Sequence, residues 1–303
     1  AAATGRTLLD GYHQIGAWAV WIYFLLSALT MFIVMGAISI VTAGLFAQLT
    51  GIPLDAPIVA MLLLILSVLI LGFGHYSLLD RSMKVIMIVL TISTLLALIA
   101  SFFTPIEKQA EFETTFNFLE SAHILFLVAL IGWMPAPIDI SIWHSVWAVS
   151  KNKEQGHAIP MSQALLDFKV GYWGTMILAV CFLTLGALVM YGTPESPASN
   201  STEFAKQFIG FYTTNLGQWA FPIIALAAFA TMFSTLLTCL DAYPRTLRRS
   251  TELLFPRLDS LVYHNKIYWC WLILTALGTM ALLYFFLRDM RAMVDLATTV
   301  SFV

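Results

Sequence analysis

Long apolar stretches alternate with short polar ones along most of this 303-residue chain. A helix of about 20 apolar residues crosses the hydrocarbon core of a bilayer. Seven stretches reach that length, and an eighth begins near Met293. The pattern predicts an all-α membrane protein with a single polytopic domain over residues 1–303. The seven stretches are Ile15–Leu45, Pro57–Gly74, Val85–Phe103, Ala122–Ser150, Val170–Tyr191, Trp219–Leu240 and Ile267–Leu287.

The first stretch is long for one crossing but too short for two full spans, so we expect one helix, tilted or bent near Gly36, rather than a hairpin. With single crossings throughout, 11 of the 15 basic residues fall on one side of the membrane. This bias predicts that residues 1–14 lie in the cytoplasm and that the protein resides in the plasma (inner) membrane. The majority side holds Arg6, Arg81, Lys84, Lys151, Lys153, Lys169, Arg245, Arg248, Arg249, Arg257 and Lys266, and the other side holds Lys108, Lys206, Arg288 and Arg291.

The composition agrees with a bilayer location and limits the classes of possible binding partner. The chain is 60% hydrophobic and 11% charged, whereas a soluble domain carries about 25% charged residues. A net charge of −2 argues against a nucleic-acid partner. Cys181, Cys239 and Cys270 show neither a metal-ligand spacing nor a disulfide pattern, so we interpret them as small core residues.

Both ends of the sequence resemble cuts within a longer protein. The chain begins with Ala1-Ala2-Ala3 rather than with Met, and it stops at Ser301-Phe302-Val303, inside the start of an apolar stretch. We therefore expect an internal piece.

Two longer connections are predicted to lie outside. Thr104–Glu120 is acidic, so it either concentrates cations at the surface or is simply solvated. Gly192–Gln218 begins with an irregular, proline-containing stretch. Its Asn200-Ser201-Thr202 tripeptide is either a glycosylation acceptor or a chance match in a polar loop.

The stretch Gly132-Trp133-Met134-Pro135-Ala136-Pro137-Ile138-Asp139 places two prolines and a carboxylate inside the fourth apolar segment. Proline has no N–H, so the carbonyls of Ile131 and Trp133 lose their helical donors. Proline also moves the residue before it out of the helical region. We expect two half-helices with a non-helical joint between Gly132 and Pro137. Irregular backbone at membrane depth is tolerated only where it is buried in protein or lines a polar cavity.

Several side chains near this break have two interpretations. Asp139 either contacts an ion, directly or through water, or caps the half-helix that begins at Pro137. His144 is expected to be a packing residue, and Asp241 to form an ordinary surface ion pair near Arg245. His123, at the outer end of the segment, is a weaker candidate for an outer vestibule.

At these residues the chain resembles the Nramp family of divalent-metal transporters, and more closely its magnesium-transporting branch. Ala3-Thr4-Gly5-Arg6 is similar to the stretch that follows the family's second helix, and the seven spans match its third to ninth helices. Val294-Asp295-Leu296-Ala297 resembles the approach to the tenth. The resemblance implies a LeuT-type inverted-repeat fold, incomplete here, in which broken helices hold the ion.

The family's sixth helix is broken at a Gly-x-x-x-Met-Pro-His pattern. Aligned with it, Gly132 matches the Gly and Pro137 the Pro, so Ala136 replaces the Met and Ile138 the His. Loss of the thioether leaves harder oxygen ligands, which suit Mg²⁺ and Mn²⁺. In a second register, Met134-Pro135 supplies the Met-Pro pair and the soft ligand stays. The metal-site residues that the resemblance implies are Ile131, Trp133, Met134, Ala136 and Asp139.

The family's proton-coupled members carry an Asp and a Glu on the third helix. Here Met31 and Val34 stand in the matching stretch, and His13 is the only Asp, Glu, Lys, Arg or His between Gly11 and Leu54. A proton path through the membrane needs titratable groups. Their absence predicts flux that is not coupled to protons.

The function expected from the sequence is transport of a divalent cation, Mg²⁺ or Mn²⁺, by a monomer in the lipid bilayer. The alternatives are a proton-coupled Mn²⁺/Fe²⁺ transporter and a transporter of an organic solute, such as an amino acid, with the same fold. The spans contain no paired histidines and no Ser/His/Asp set. We therefore expect neither an enzyme nor a bound cofactor beyond the transported ion.

Overall fold

The computed structural model describes residues 4–73, 76–103, 116–134, 137, 139–155, 160–194, 197–259, 261–285 and 289–302. Within these ranges the regular structure is helical, with no strand. Two short 3₁₀ turns, Gln218–Ala220 and Pro256–Leu258, flank the helix Phe221–Leu254. The helices are α1 Leu8–Ile15, α2 Ala17–Thr50, α3 Ala56–Phe73, α4 Tyr76–Phe103, α5 Ser121–Trp133, α6 Asp139–Gln155, α7 Met161–Val189, α8 Ser201–Leu216, α9 Phe221–Leu254, α10 Leu261–Phe285 and α11 Met290–Val300.

Six of the described helices are long and apolar enough to cross a membrane. They are α2, α3, α4, α7, α9 and α10, and α5 is a shorter apolar helix. Many large apolar side chains on their outer faces are exposed, including Ile99 and Phe102 of α4 and Trp173 and Ile177 of α7. A soluble monomer rarely exposes such continuous apolar surface. The chain is therefore an all-α, multi-pass membrane protein.

The two longest helices, α2 and α9, pack against each other at the centre of the bundle. Met31 and Met35 of α2 and Leu236 and Tyr243 of α9 are almost completely buried there. α2 is one uninterrupted helix, as predicted for the first apolar stretch, and it continues through Gly36. A Cβ atom at Gly36 would lie 2.7 Å from Cε of Met293, so this glycine allows α11 to approach α2.

The connection Gly192–Gln218 contains a helix that the sequence interpretation did not include. Asn200 begins α8 by accepting hydrogen bonds from the backbone N–H groups of Thr202 and Glu203. This capping gives Asn200 a structural role. Ala205, Ile209 and Tyr212 share one face of α8 and are buried, because α8 packs against α2 and α4.

The two ends of the bundle differ in chemistry. At one end α1 contacts α6 and α9, through charged and polar side chains. At the other end α8 contacts the last turns of α2, where Gln48 donates to the carbonyl of Thr202 at 3.1 Å. The backbone N–H of Met290, at the start of α11, donates to the carbonyl of Ser199 at 3.1 Å. These contacts agree with helices that each cross the membrane once, so that the start of α2 and the end of α9 lie on the same side.

Candidate functional site

The fourth apolar segment is interrupted, as its prolines predict. α5 ends at Trp133, and α6 begins at Asp139. The first non-helical residue is Met134, with φ −118° and ψ 116°, which is the conformation that a following proline imposes. The predicted joint began two residues earlier, at Gly132. The helix instead continues to Trp133, because a proline lacks only its own N–H and the residues before it can still donate.

Three residues of the joint, Pro135, Ala136 and Ile138, lie outside the described residues. The same holds for the acidic residues Glu107, Glu111 and Glu113 of the outer connection. The choice between the two Met-Pro registers, and the role of Ala136, therefore stay sequence predictions.

The end of α5 is fixed against α11 by very close backbone packing. A Cβ atom at Gly132 would lie 2.0 Å from the carbonyl oxygen of Thr298, so only glycine fits between the two helices. One residue later, Nε1 of Trp133 donates to Oγ of Ser301 at 2.9 Å. These two contacts fix the end of α5, where the carbonyls of Ile131 and Trp133 lose their helical N–H donors. The side chain of Ile131 itself is exposed.

Asp139 is the first residue of α6 and also lines a cavity. Its position therefore agrees with both interpretations, helix capping and contact with a bound species. The cavity has a volume of about 380 Å³ and lies between α1, α2, α6 and α11. Apolar groups such as Ile22, Leu26 and Ile142 form part of its wall. The polar lining consists of Tyr12, Tyr23, Ser27, Thr30, Asp139 and Ser301.

Three buried polar atoms near this cavity lack hydrogen-bond partners within the described part of the chain: the Tyr23 hydroxyl, the Ser27 hydroxyl and Nε1 of Trp143. The Tyr23 hydroxyl lies near the polar atoms of Ser27, Trp143 and Thr246, but none of these contacts reaches hydrogen-bonding geometry in the described part of the chain. Each buried, unsatisfied group costs about 1–3 kcal/mol. Such groups mark a place where water, an ion or a polar solute supplies the missing partner.

The hydroxyl groups of α2 were missed in the sequence, although their spacing carries a signal. Tyr23, Ser27 and Thr30 stand at positions i, i+4 and i+7, so they share one face of the helix. Met31 and Val34, at the positions aligned with the coupling carboxylates, are buried in the core.

The other residues considered beside the break have mainly packing roles. His144 is exposed, and its ring meets Trp147 at a centroid distance of 6.2 Å. Nδ1 of His123 accepts from the backbone N–H of Asn117 at 2.9 Å, and its ring stacks on Phe116. In the part of the chain that the structure describes, no three His, Cys, Asp or Glu side chains form a metal-binding group.

Asp241 forms the predicted pair with Arg245, but the prediction of a surface position was wrong. The carboxylate is buried, because α6 and α10 both pack over it. It accepts hydrogen bonds from Nε of Arg245 at 2.6 Å, from the Tyr268 hydroxyl at 2.7 Å and from Nε1 of Trp147 at 3.3 Å. Asp241 thus ties α6, the second half-helix, to α9 and α10.

No protein-family model matches the chain. It is similar to the uncharacterized protein PM0681 of Pasteurella multocida (strain Pm70), with 34% identity over 302 residues. The alignment covers 99% of this chain and 69% of that protein.

Proposed function

We propose a transport function for this chain, which belongs to the same protein family as the Pasteurella multocida protein PM0681. The proposed cargo is a divalent cation, Mg²⁺ or Mn²⁺, and the proposed architecture is the LeuT-type fold that the Nramp resemblance implies. One observation carries the proposal. A broken helix resumes at Asp139, and this carboxylate lines a cavity with buried hydroxyl groups that lack partners.

The chemistry of the cavity favours a hard cation. Its oxygen groups come from Asp139, Tyr23, Ser27, Thr30 and Ser301. Carboxylate, hydroxyl and carbonyl oxygens suit Mg²⁺ and Mn²⁺, whereas thioethers suit softer metals. A volume of about 380 Å³ leaves room for several water molecules, and Mg²⁺ usually keeps several of its waters. We therefore place a partly hydrated ion beside Asp139.

The proposed flux is not coupled to protons. α2 carries no Asp, Glu, Lys, Arg or His over Ala17–Thr50, and the aligned positions Met31 and Val34 pack in the core. We propose a monomer in the plasma membrane, with α1 and the end of α9 in the cytoplasm.

An organic solute is the second candidate, and the wall of the cavity favours it. Trp18, Ile22, Leu26 and Ile142 supply apolar surface beside the hydroxyl groups. Such a mixed lining fits a small amphipathic molecule as well as a hydrated ion. A proton-coupled Mn²⁺/Fe²⁺ transporter is the third candidate, and it requires the register in which Met134 supplies a soft ligand.

Uptake of Mg²⁺ and Mn²⁺, measured side by side in proteoliposomes, tests the proposal. The wild type is expected to carry both ions. Asp139→Asn and Ser27→Ala are expected to lower uptake of both ions, because the first removes the negative charge from the cavity and the second removes a hydroxyl oxygen. Asp259→Asn is the matched control, since Asp259 is exposed and distant in the chain from α6, and it is expected to behave as the wild type. A wild type that moves neither ion, with the protein folded, would refute the cation proposal and leave the organic solute to be tested.

A further inference from the structure

A second cavity lies at the opposite face of α1, among charged side chains. Its volume is about 480 Å³, and α1, α6, α9 and α10 surround it. The backbone N–H of Leu8 donates to Oγ of Ser145 at 2.9 Å, which joins α1 to α6 at its edge. The charged and polar residues that line it are Arg6, Thr7, Asp10, His13, Gln14, Ser150, Arg248, Arg249, Glu252 and His264.

Both carboxylates of this cavity already have partners. Asp10 accepts from the backbone N–H and the hydroxyl of Thr7, each at 2.7 Å, and from the guanidinium of Arg249. Burial raises the pKa of Asp10, but the hydrogen bonds from Thr7 and Arg249 outweigh it and hold that pKa below its ordinary value. Both carboxylate oxygens of Asp10 are engaged, so this residue is not available to a cationic ligand.

Glu252 is the deeper of the two carboxylates, and its side chain is only 2% exposed. Nη1 of Arg249 lies 3.2 Å from one of its oxygens, and Nδ1 of His264 lies 2.8 Å from the other. Nε of Arg248 is 3.5 Å from that second oxygen. Glu252 therefore lines the cavity with both of its carboxylate oxygens close to basic groups.

The basic groups exceed the acidic ones. Arg248 and Arg249 accompany Glu252 and Asp10, which leaves Arg6 as an additional positive charge. The Nε atom of Arg248 is buried and has no hydrogen-bond partner within the described ranges. Arg6, His13 and Gln14 are exposed at the rim, where their donors are open to a ligand. The cavity thus combines excess positive charge with a buried guanidinium N–H whose 3.5 Å contact with Glu252 falls short of a hydrogen bond.

We propose that this cavity binds a phosphate group. Guanidinium groups suit phosphate because their planar, forked donors match its oxygens. Arg248 would bind from within the cavity and Arg6 from the rim. Two ligands carry such a phosphate group, a free phosphate ion and the headgroup of an acidic phospholipid. Basic pockets between transmembrane helices on the cytoplasmic side are suited to such headgroups. The inference does not depend on the proposed transport function.

Two binding measurements on the full-length protein, purified in detergent, distinguish these two ligands. Isothermal titration with inorganic phosphate, at constant ionic strength, measures the free anion. Native mass spectrometry in the presence of phosphatidylglycerol or phosphatidylcholine measures the headgroup. Arg248→Gln is expected to weaken phosphate or phosphatidylglycerol binding at least about tenfold, because it removes charge-assisted hydrogen bonds. Arg257→Gln makes the same charge change at an exposed position outside the cavity and is expected to bind as the wild type.

Each outcome decides the proposal. Loss of phosphate binding in Arg248→Gln but not in Arg257→Gln supports a free-phosphate site, and the same pattern for phosphatidylglycerol alone supports a headgroup site. Binding of neither probe by the wild type overturns the proposal, as does equal binding by both variants. Should Arg248→Gln fail to fold, Arg6→Gln replaces it, because the Arg6 side chain is exposed. Wild-type binding by folded Arg6→Gln then counts against the site.

Discussion

Gly132→Ala tests whether close contact between α5 and α11 fixes the interrupted helix. The added Cβ atom would lie 2.0 Å from the backbone oxygen of Thr298, whereas real Cβ atoms keep at least 3.0 Å from other heavy atoms. The two backbones must therefore separate by about 1 Å or more. Overpacking of this kind costs about 1–3 kcal/mol, and alanine regains up to about 1 kcal/mol through its higher helix propensity. We expect a net loss of about 1–2 kcal/mol.

The displacement also affects the joint beside the cavity. Trp133 follows the glycine, and its indole hydrogen bond to Ser301 at 2.9 Å is expected to stretch. Cation uptake should then fall in the folded variant, because the half-helix end moves away from Asp139. Thermal unfolding in detergent measures the stability, and proteoliposome uptake measures the function.

Gly174→Ala is the matched control for this substitution. A Cβ atom at Gly174 meets nothing within 4 Å, so only the gain in helix propensity operates there. The control should be as stable as the wild type or slightly more stable. If Gly132→Ala behaves like Gly174→Ala in both assays, the close contact between α5 and α11 does not exist and the reasoning fails.

Three further predictions follow from the sequence and the structure. Ala136→Met should lower Mg²⁺ flux more than Mn²⁺ flux, because a soft, bulky ligand expels water that Mg²⁺ retains; an equal effect on both fluxes in the side-by-side uptake assay would contradict this. Metal transport should not acidify proteoliposomes, since Met31 and Val34 replace the coupling carboxylates; metal-dependent proton uptake above the leak measured in protein-free liposomes would contradict it. Asp10 has a folded-state pKa below its ordinary value of 3.8, so its stabilising effect is present at neutral pH and lost as the pH falls through the folded value. Asp10→Asn should therefore be less stable than the wild type at neutral pH, with a difference that shrinks in acid; a difference independent of pH in denaturation curves would refute this assignment.

Apolar runs identified the transmembrane helices, but they did not give the helix ends. The predicted span Trp219–Leu240 corresponds to α9, which continues to Leu254. Hydropathy marks the part of a helix that crosses the hydrocarbon, and the extra turns contain Asp241, Arg249 and Glu252. These charges are stable in a helix because nearby partners satisfy them. Some of these partners lie three or four residues away on α9 itself, but Asp10, Tyr268 and His264 come from other helices and cannot be read from a local sequence pattern.

The break at the prolines was predictable because its cause is local. Each proline removes one donor and constrains one neighbour, and Met134 adopts the expected extended conformation. The surroundings of the break were not predictable in the same way. Thr298 and Ser301, which contact Gly132 and Trp133, lie more than 160 residues further along the chain, and the Trp133–Ser301 separation is 168.

Both cavities border α1 and α6, but different polar groups line them, so their ligands can be tested separately. The cavity beside Asp139 is lined by residues with buried hydroxyl groups that lack partners, whereas the cavity beside Arg248 holds carboxylates whose charges are already compensated. Hydroxyl groups without partners, as in the first cavity, favour a cation or a neutral polar solute. In the second cavity the carboxylates are already paired with basic groups, and the additional guanidinium favours an anion. Loss of cation uptake in Asp139→Asn with phosphate binding intact would therefore assign the two cavities separate ligands. Loss of both activities in one variant would instead point to a shared structural defect through α6, which borders both cavities.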